Sequence, residues 1–323
     1  MRRSSMWIAA FAGCLVSSAA LAQSWPTKRV QVIVPFTAGS ATDIMARTVT
    51  QRLSEQLGQP FVVENRGGAG GTLGVAAVAK ADPDGHTILV HSSSYTITPT
   101  TYPNTPYDTV RDLVGITPLA LLPQALVVSP NKNIRTVQDL VRAAKAKPGS
   151  MNYASAGVGT ATQLSAERFR LAAGIDAVHV PFRGTPEALT EIIAGRVDYY
   201  FCPVDAVLPM ITEKRVLALA MGSSKRSAAL PDVATTLEAG IPNSDYNFWV
   251  GMFVSSKTPR EIVNRLQQEV AKALDVKEVR ESMAKLGAEP MLMRPEEFDA
   301  YIRNEITTNA SVVKAAGIPI TGQ

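Results

Sequence analysis

Short apolar runs separated by stretches of helical spacing constrain this chain most. The runs at 30–34, 61–63, 87–90, 126–128, 178–180, 199–202 and 216–220 are continuous, not alternating. A strand covered on one face alternates, whereas a strand covered on both reads as unbroken apolar sequence. Runs of this kind separated by helices predict mainly parallel sheets packed between helices, an α/β fold. Thr136 reads as the cap of a helix with Val137, Leu140, Val141 and Ala144 on one face. Thr258-Pro259-Arg260-Glu261 predicts a capping box with proline at the first helical position, and most of the sequence beyond it reads as helix. No repeat, low-complexity tract or long linker interrupts the pattern.

With 323 residues the chain has room for two domains, each with its own core. Hydrophobic residues at 46% and charged residues at 19% describe an ordinary soluble globule. Arg2-Arg3, the apolar "MWIAAFAGCLV" and Ala20-Leu21-Ala22 have the form of a secretory leader, which predicts cleavage after Ala22 and export. The segment ending at Cys14 fits a lipoprotein box poorly, because Phe11 is out of place. Removing Arg2 and Arg3 lowers the formal charge from +4 to +2, and no Lys/Arg stripe marks a nucleic-acid surface. Only Cys202 would survive cleavage, so no internal disulfide is expected, and Cys202 reads as a buried small hydrophobe.

Two turns share one design. "VPFTAGSATD" follows the first strand, and "SAGVGTATQLSAE" follows the strand "MNYA". Each passes through glycine and hydroxyl residues into a helix, and the first contains no obvious nucleophile, base or metal ligand. In an open α/β sheet, ligands bind beyond the carboxyl ends of the strands. A helix N-terminus there offers unpaired amides and partial positive charge, which suits an anion. Two such turns in different domains predict a cleft that grips one anion from both sides, mostly with main-chain groups.

Other chemistry is missing. "ENRGGAGGTLG" has Leu73 where a dinucleotide fingerprint needs glycine, so it reads as a tight helix entrance or cleft rim, and no cofactor is expected. His86, His91 and His179 lack metal-ligand spacing, so no metal site is expected. No G-x-S-x-G elbow occurs, and no catalytic residue is assigned. His91, beside Ser93 and Ser94, is either a polar cleft residue or a hydrogen-bonded rim residue. Asp205 either faces the cleft or caps the helix that begins "AVLPMI".

The stretches "WPTKRVQVIVPFTAGSATDIMAR", "VVENRGGAGGTLG", "NYASAGVGTATQLSAE", "VPFRGTPEALTEIIAGRVDYYF" and "NFWVGMFVSSKTP" resemble, in order, the motifs of the tripartite tricarboxylate transporter substrate-binding receptors, the Bug family. The resemblance runs from Trp25 to the C-terminal helices. It implies a two-lobed, type II periplasmic binding protein, a Venus flytrap with a mainly parallel sheet in each lobe. Lobe 1 would comprise residues 23–123 and 249–323, and lobe 2 residues 124–248. It further implies capture of a small carboxylate for membrane transporter subunits or a sensor ectodomain, by a monomer without nucleic acid.

The family's first loop is matched by Phe36, Thr37, Ala38, Gly39 and Ser40, with Thr37 and Ser40 departing from its usual residues. Its second motif is matched by Ser155, Ala156, Gly157, Gly159 and Thr160, with Gln163 in place of the usual histidine. A capping box from Thr160 to Gln163 accounts for that glutamine. Arg183 stands for the family's lysine and either reaches a distal ligand carboxylate or lies on the surface. Ser93, Ser94 and Asp205 complete the expected binding set. The competing reading is an exported hydrolase-like enzyme acting on a carboxylate-containing substrate, which lacks a recognisable nucleophile and base.

Overall fold

The computed structural model describes residues 25–321; the leader read at residues 1–22 lies outside them. In chain order, β1 (Val30–Val34) leads to α1 (Ala41–Leu57), β2 (Phe61–Asn65) to α2 (Thr72–Ala79), and β3 (Thr87–Ser92) to the short α3 (Thr98–Thr101). The long β4 (Leu113–Leu121) then turns into β5 (Gln124–Val128). Next come α4 (Val137–Ala146), β6 (Met151–Ser155), α5 (Ala161–Ala173), β7 (Ala177–Pro181) and α6 (Thr185–Ile193). They are followed by β8 (Tyr199–Pro203), α7 (Val204–Thr212) and β9 (Leu217–Met221). The chain closes with β10 (Trp249–Ser255), α8 (Arg260–Asp275), α9 (Lys277–Lys285), β11 (Glu289–Pro290) and α10 (Pro295–Ala316).

The strands form two sheets, ordered β11-β4-β10-β3-β1-β2 and β7-β6-β8-β5-β9. Parallel pairing, as expected, joins β1 to β2 and β3, and β6 to β7 and β8. The remaining ladders, made by β4, β5, β10 and β11, are antiparallel, so both sheets are mixed. The chain returns through these strands, and reversal of direction needs no crossover helix.

Both sheets are covered on two sides, which explains the continuous apolar runs. Val30, Val32 and Val34 pack with α1 and α8, while Ile33 points the other way, toward Val75, Phe253 and Phe298. In the second sheet Tyr153, Tyr199 and Phe201 pack with α4 and α5, and Ala154, Tyr200 and Cys202 with α6 and α7.

The chain leaves the first sheet after β4 and returns to it at β10. The two crossing segments run side by side, with Leu122 N–H donating to the Phe248 carbonyl at 2.8 Å. Helix α10 spans both halves. Its Glu305 accepts from Trp249 Nε1 and Tyr301 O–H, each at 2.8 Å, and Arg170 of α5 donates to its Ala316 carbonyl at 3.1 Å. The capping box expected at Thr258 does not form. Pro259 is the N-cap of α8 without a side-chain bond, because proline starts that helix later than the motif suggests. At Thr136 the box is present, closed by Asp139. No helix among the described residues is long and apolar enough to cross a membrane.

Candidate functional site

Each turn leaves the carboxyl end of a parallel strand and enters a helix. After β1, Gly39 adopts φ +77°, Ser40 is extended, and α1 begins at Ala41. After β6, Gly159 adopts φ +72°, Thr160 is extended, and α5 begins at Ala161. Gly39-Ser40-Ala41-Thr42-Asp43 and Gly159-Thr160-Ala161-Thr162-Gln163 are thus the same local structure. In both, the left-handed glycine donates its amide four residues ahead. Gly39 N–H reaches Asp43 Oδ2 at 3.0 Å, and Gly159 N–H reaches Gln163 Oε1 at 2.8 Å. Only glycine takes that conformation without cost.

This overturns the Thr160–Gln163 capping box. Gln163 closes on the amide before Thr160, and the Thr160 hydroxyl donates to the Gly157 carbonyl at 2.7 Å. It also corrects the idea of bare amides throughout. Ala156 N–H donates to Thr162 Oγ1 at 2.9 Å, Gly157 N–H to Ser155 Oγ at 3.0 Å, and Ala161 N–H to Ser94 Oγ at 2.9 Å. Thr162 and Ser155 win their donors because they are short polar side chains within a turn of them, whereas Ser94 reaches Ala161 from the opposite wall. At these two helix entrances the amides of Ala41, Thr42, Thr162 and Gln163 have no acceptor among the described residues, whereas Asp43 N–H donates to Ser40 Oγ at 3.3 Å. They belong to the first helical turns, where no carbonyl is in reach.

A narrow cavity of about 20 Å³ lies between the two turns. Phe36, Ser40, Ala41 and Thr42 line it from the first turn, and Ala156, Thr160 and Thr162 from the second. Ser92, Ser94 and Thr185 add hydroxyls, while Pro203 and Phe248 close the sides. No lining residue is charged. Of the residues expected from sequence, Phe36, Ser40, Ser94, Ala156 and Thr160 line the cavity. Thr37, Ala38, Gly39, Ser93, Ser155, Gly157 and Gly159 lie beside it, within the turns or behind them. Ala41, Thr42, Ser92, Thr162, Thr185, Pro203 and Phe248 escaped sequence reasoning. The Ala-Thr pair that follows each cap was a usable signal for the first two and for Thr162; the others come from distant segments.

The walls touch around this cavity. Besides the Ala161–Ser94 bond, Tyr102 O–H donates to the Val158 carbonyl at 3.2 Å. At the mouth Gly184 meets Thr37 so closely that a Cβ on Gly184 would stand 2.1 Å from Thr37 Oγ1.

Charged and titratable groups stand back. Burial opposes ionisation of Asp43, but hydrogen bonds from Arg47, the Gly39 amide and Asn65 outweigh it and hold the carboxyl below its usual value. Arg183 is exposed, and its amide donates to Glu187 Oε2 at 3.1 Å. Asp205 is buried in the first turn of α7, whose N-cap is Pro203, and neither carboxylate oxygen has a hydrogen-bond partner. Burial pushes Asp205 up to about 7. His91 is fully buried and donates from Nδ1 to the Ser92 carbonyl at 2.9 Å. It supports Phe36 edge-on at 5.3 Å and does not line the cavity, and burial lowers it to about 4. Cys202 is buried, with its thiol shifted upward by burial. No cluster among the described residues is arranged to hold a metal ion.

Residues 45–318 match the family model described as the tripartite tricarboxylate transporter family receptor. The chain belongs to this family. It is 34% identical to protein BugT of Bordetella pertussis over 92% of this chain and 91% of the relative. A Rhodopseudomonas palustris protein solved with adipate superposes with a TM-score of 0.88 at 31% identity, covering 91% of this chain and 99% of that one. MatC from Rhodopseudomonas palustris, solved with bound malate, gives 0.83 at 32% identity, covering 90% and 100%. The receptor therefore has the two-lobed fold of periplasmic binding proteins, as also seen for BugD. Family membership makes it a receptor and not an enzyme, although Ser155 and His179 stand 2.6 Å apart, as a nucleophile and base would.

Proposed function

We propose that this receptor captures one small carboxylate between the N-termini of α1 and α5 and delivers it unchanged to membrane transporter subunits or a sensor ectodomain. The observation that carries the reading is the convergence of two matching turns on an uncharged, hydroxyl-lined cavity, with the amides of Ala41, Thr42 and Thr162 left without acceptors. A carboxylate needs no basic side chain there. Hydrogen bonds to a charged group contribute about 1.5–3 kcal/mol each, and three or four of them, less the cost of association, reach about −8 kcal/mol, a micromolar Kd. The adipate and malate bound by the two relatives support the carboxylate class.

Phe36, Ser40, Ser94, Ala156 and Thr160 act as ligand contacts, with Thr37, Ala38, Gly39, Ser93, Ser155, Gly157 and Gly159 shaping the turns around them. The lobes divide at the two crossing segments, giving 23–123 with 249–323, and 124–248. The protein works in the periplasm as a monomer, after cleavage at Ala22. Asp205, two residues beyond the lining residue Pro203, disfavours a second acid group, so the preferred ligand carries one carboxylate and an uncharged ring, hydroxyl or amine. Phe36 and Phe248 offer apolar faces for such a body.

Calorimetry with nicotinate, 4-aminobutyrate, malate and adipate tests this, after native mass spectrometry of gently purified protein for a retained ligand. Binding of a one-carboxylate acid ahead of both diacids is expected. Preference for malate or adipate overturns the role given to Asp205, and binding of no carboxylate overturns the reading as a whole.

A further inference from the structure

We propose that Gln163 and His179 are positioning residues of the second turn, setting the hydrogen-bond polarity of Ser155 and so holding the segment from Ser155 to Thr160 in its ligand-facing shape. The inference rests on the reading of the cleft as a carboxylate site. Neither residue lines the cavity, and both act through the turn.

The polarity follows from one fixed donor. Gly159 N–H can only donate, so Gln163 presents its carbonyl to it, at 2.8 Å. The Gln163 NH₂ is thereby turned toward His179 Nδ1, at 3.1 Å. An amide NH₂ also only donates, so Nδ1 is the bare lone pair and the neutral ring carries its proton on Nε2. That proton is given to Ser155 Oγ at 2.6 Å. Ser155 Oγ accepts from Gly157 N–H at 3.0 Å as well, and spends its own proton on the Gly157 carbonyl, also at 3.0 Å. Every donor in this ring of contacts has an acceptor, and reversing any one of them leaves two donors facing each other.

The surroundings keep His179 neutral. On β6, Tyr153 stacks on the imidazole with ring centroids 5.0 Å apart and planes at 19°. On α5, Glu167 bonds the Tyr153 hydroxyl and pairs with Arg170 at 2.5 Å, so the nearby carboxylate is engaged elsewhere. Burial lowers His179 to about 4. Asp43, in the matching place of the first turn, uses Arg47 as its partner; here the partner is a ring that must stay uncharged.

Nitrogen-15 NMR of the imidazole rings tests this without any ligand, with His179→Phe for assignment. His179 is expected neutral with its proton on Nε2, the opposite of His91, which donates from Nδ1. Gln163→Leu is expected to mix the tautomers and speed exchange of the Gly157 and Gly159 amides by about 10-fold or more. It should weaken nicotinate binding by about 10-fold while the circular dichroism stays that of wild type. Gln163→Glu should raise His179 from about 4 to about 6 or above, because a carboxylate accepts from a protonated Nδ1. Nicotinate binding by that variant should then fall at least about 5-fold between about pH 6 and pH 8, a profile absent from wild type. A proton on Nδ1 of wild-type His179 overturns the proposal. So does wild-type exchange at Gly157 and Gly159 in Gln163→Leu, or wild-type nicotinate affinity in both variants at both pH values. If wild type itself binds no nicotinate or other carboxylate, the cleft reading fails separately, and tautomer and exchange still decide the positioning role.

Discussion

At Gly39 and at Gly159 the chain makes the same bend, yet Asp43 closes one turn and Gln163 the other. The first turn places a carboxylate at the positive end of α1 and balances it with Arg47 and Asn65. The second uses a neutral amide, and α5 has no acidic residue in its first turn. A helix end already facing a carboxylate has less to offer a second anion. The difference teaches that one backbone device serves two purposes: the first turn is braced by its own ion pair, and the second keeps its field for the ligand. The ligand carboxylate should therefore sit closer to α5 than to α1.

The largest effect expected is at the paired glycines. Gly39→Ala adds a side chain at positive φ with 3.8 Å to its nearest neighbour, whereas the same change at Gly159 brings Cβ to 2.4 Å from Thr101 Oγ1 across the cleft. Strain alone should weaken ligand binding about 10-fold at Gly39, and strain plus obstructed closure about 100-fold or more at Gly159. Equal losses in calorimetry would break the comparison.

Next is the ion pair of the first turn. Asp43 has its folded pKa lowered, so its stabilising contribution is present above the unfolded value and is lost as the pH falls through the folded one. Asp43→Asn should cost about 1–3 kcal/mol in urea unfolding at neutral pH and flatten the acid side of the stability profile. Gln163→Leu should leave that profile's shape unchanged, which sharpens the contrast.

Asp205 behaves in the opposite sense. Its folded pKa is raised to about 7, so stability present below the unfolded value is lost as the pH rises toward 7. Asp205→Asn should raise the melting temperature at about pH 8 by several degrees, about 1–2 kcal/mol, and change it little at about pH 4. It should also improve binding of malate and adipate relative to nicotinate; unchanged selectivity would confine Asp205 to stability. The smallest effect belongs to Arg183, which is exposed. Arg183→Ala should alter ligand affinity less than about 2-fold.

The strands feeding the turns were legible because each is a short apolar run ended by proline, serine or glycine. β1 matches its expected bounds, and β6, β7 and β8 extend theirs by a residue or so. β4 and β10 were not legible. Pro118 interrupts one and Gly251 the other, and these two residues face each other where the ladder shifts register. Proline in a strand is tolerated at such an irregularity, but in a sequence it argues against a strand. Antiparallel pairing of strands about 130 residues apart leaves no local signal. The candidate site was half legible. Glycines and hydroxyls at the helix entrances marked the turns, whereas Thr185, Pro203 and Phe248 reach the cavity only through the packing of the two sheets. The fate of the amides was hidden too, since Thr162, Gln163 and Ser155 compete for them over distances that only coordinates reveal.

The central claim is that one carboxylate lies between the two helix ends, and backbone amide NMR during a titration with nicotinate tests it most directly. The amides of Ala41, Thr42 and Thr162 should move downfield together along one binding curve, with Thr162 moving furthest. Saturable binding that leaves the amides of both helix ends unmoved would contradict the account.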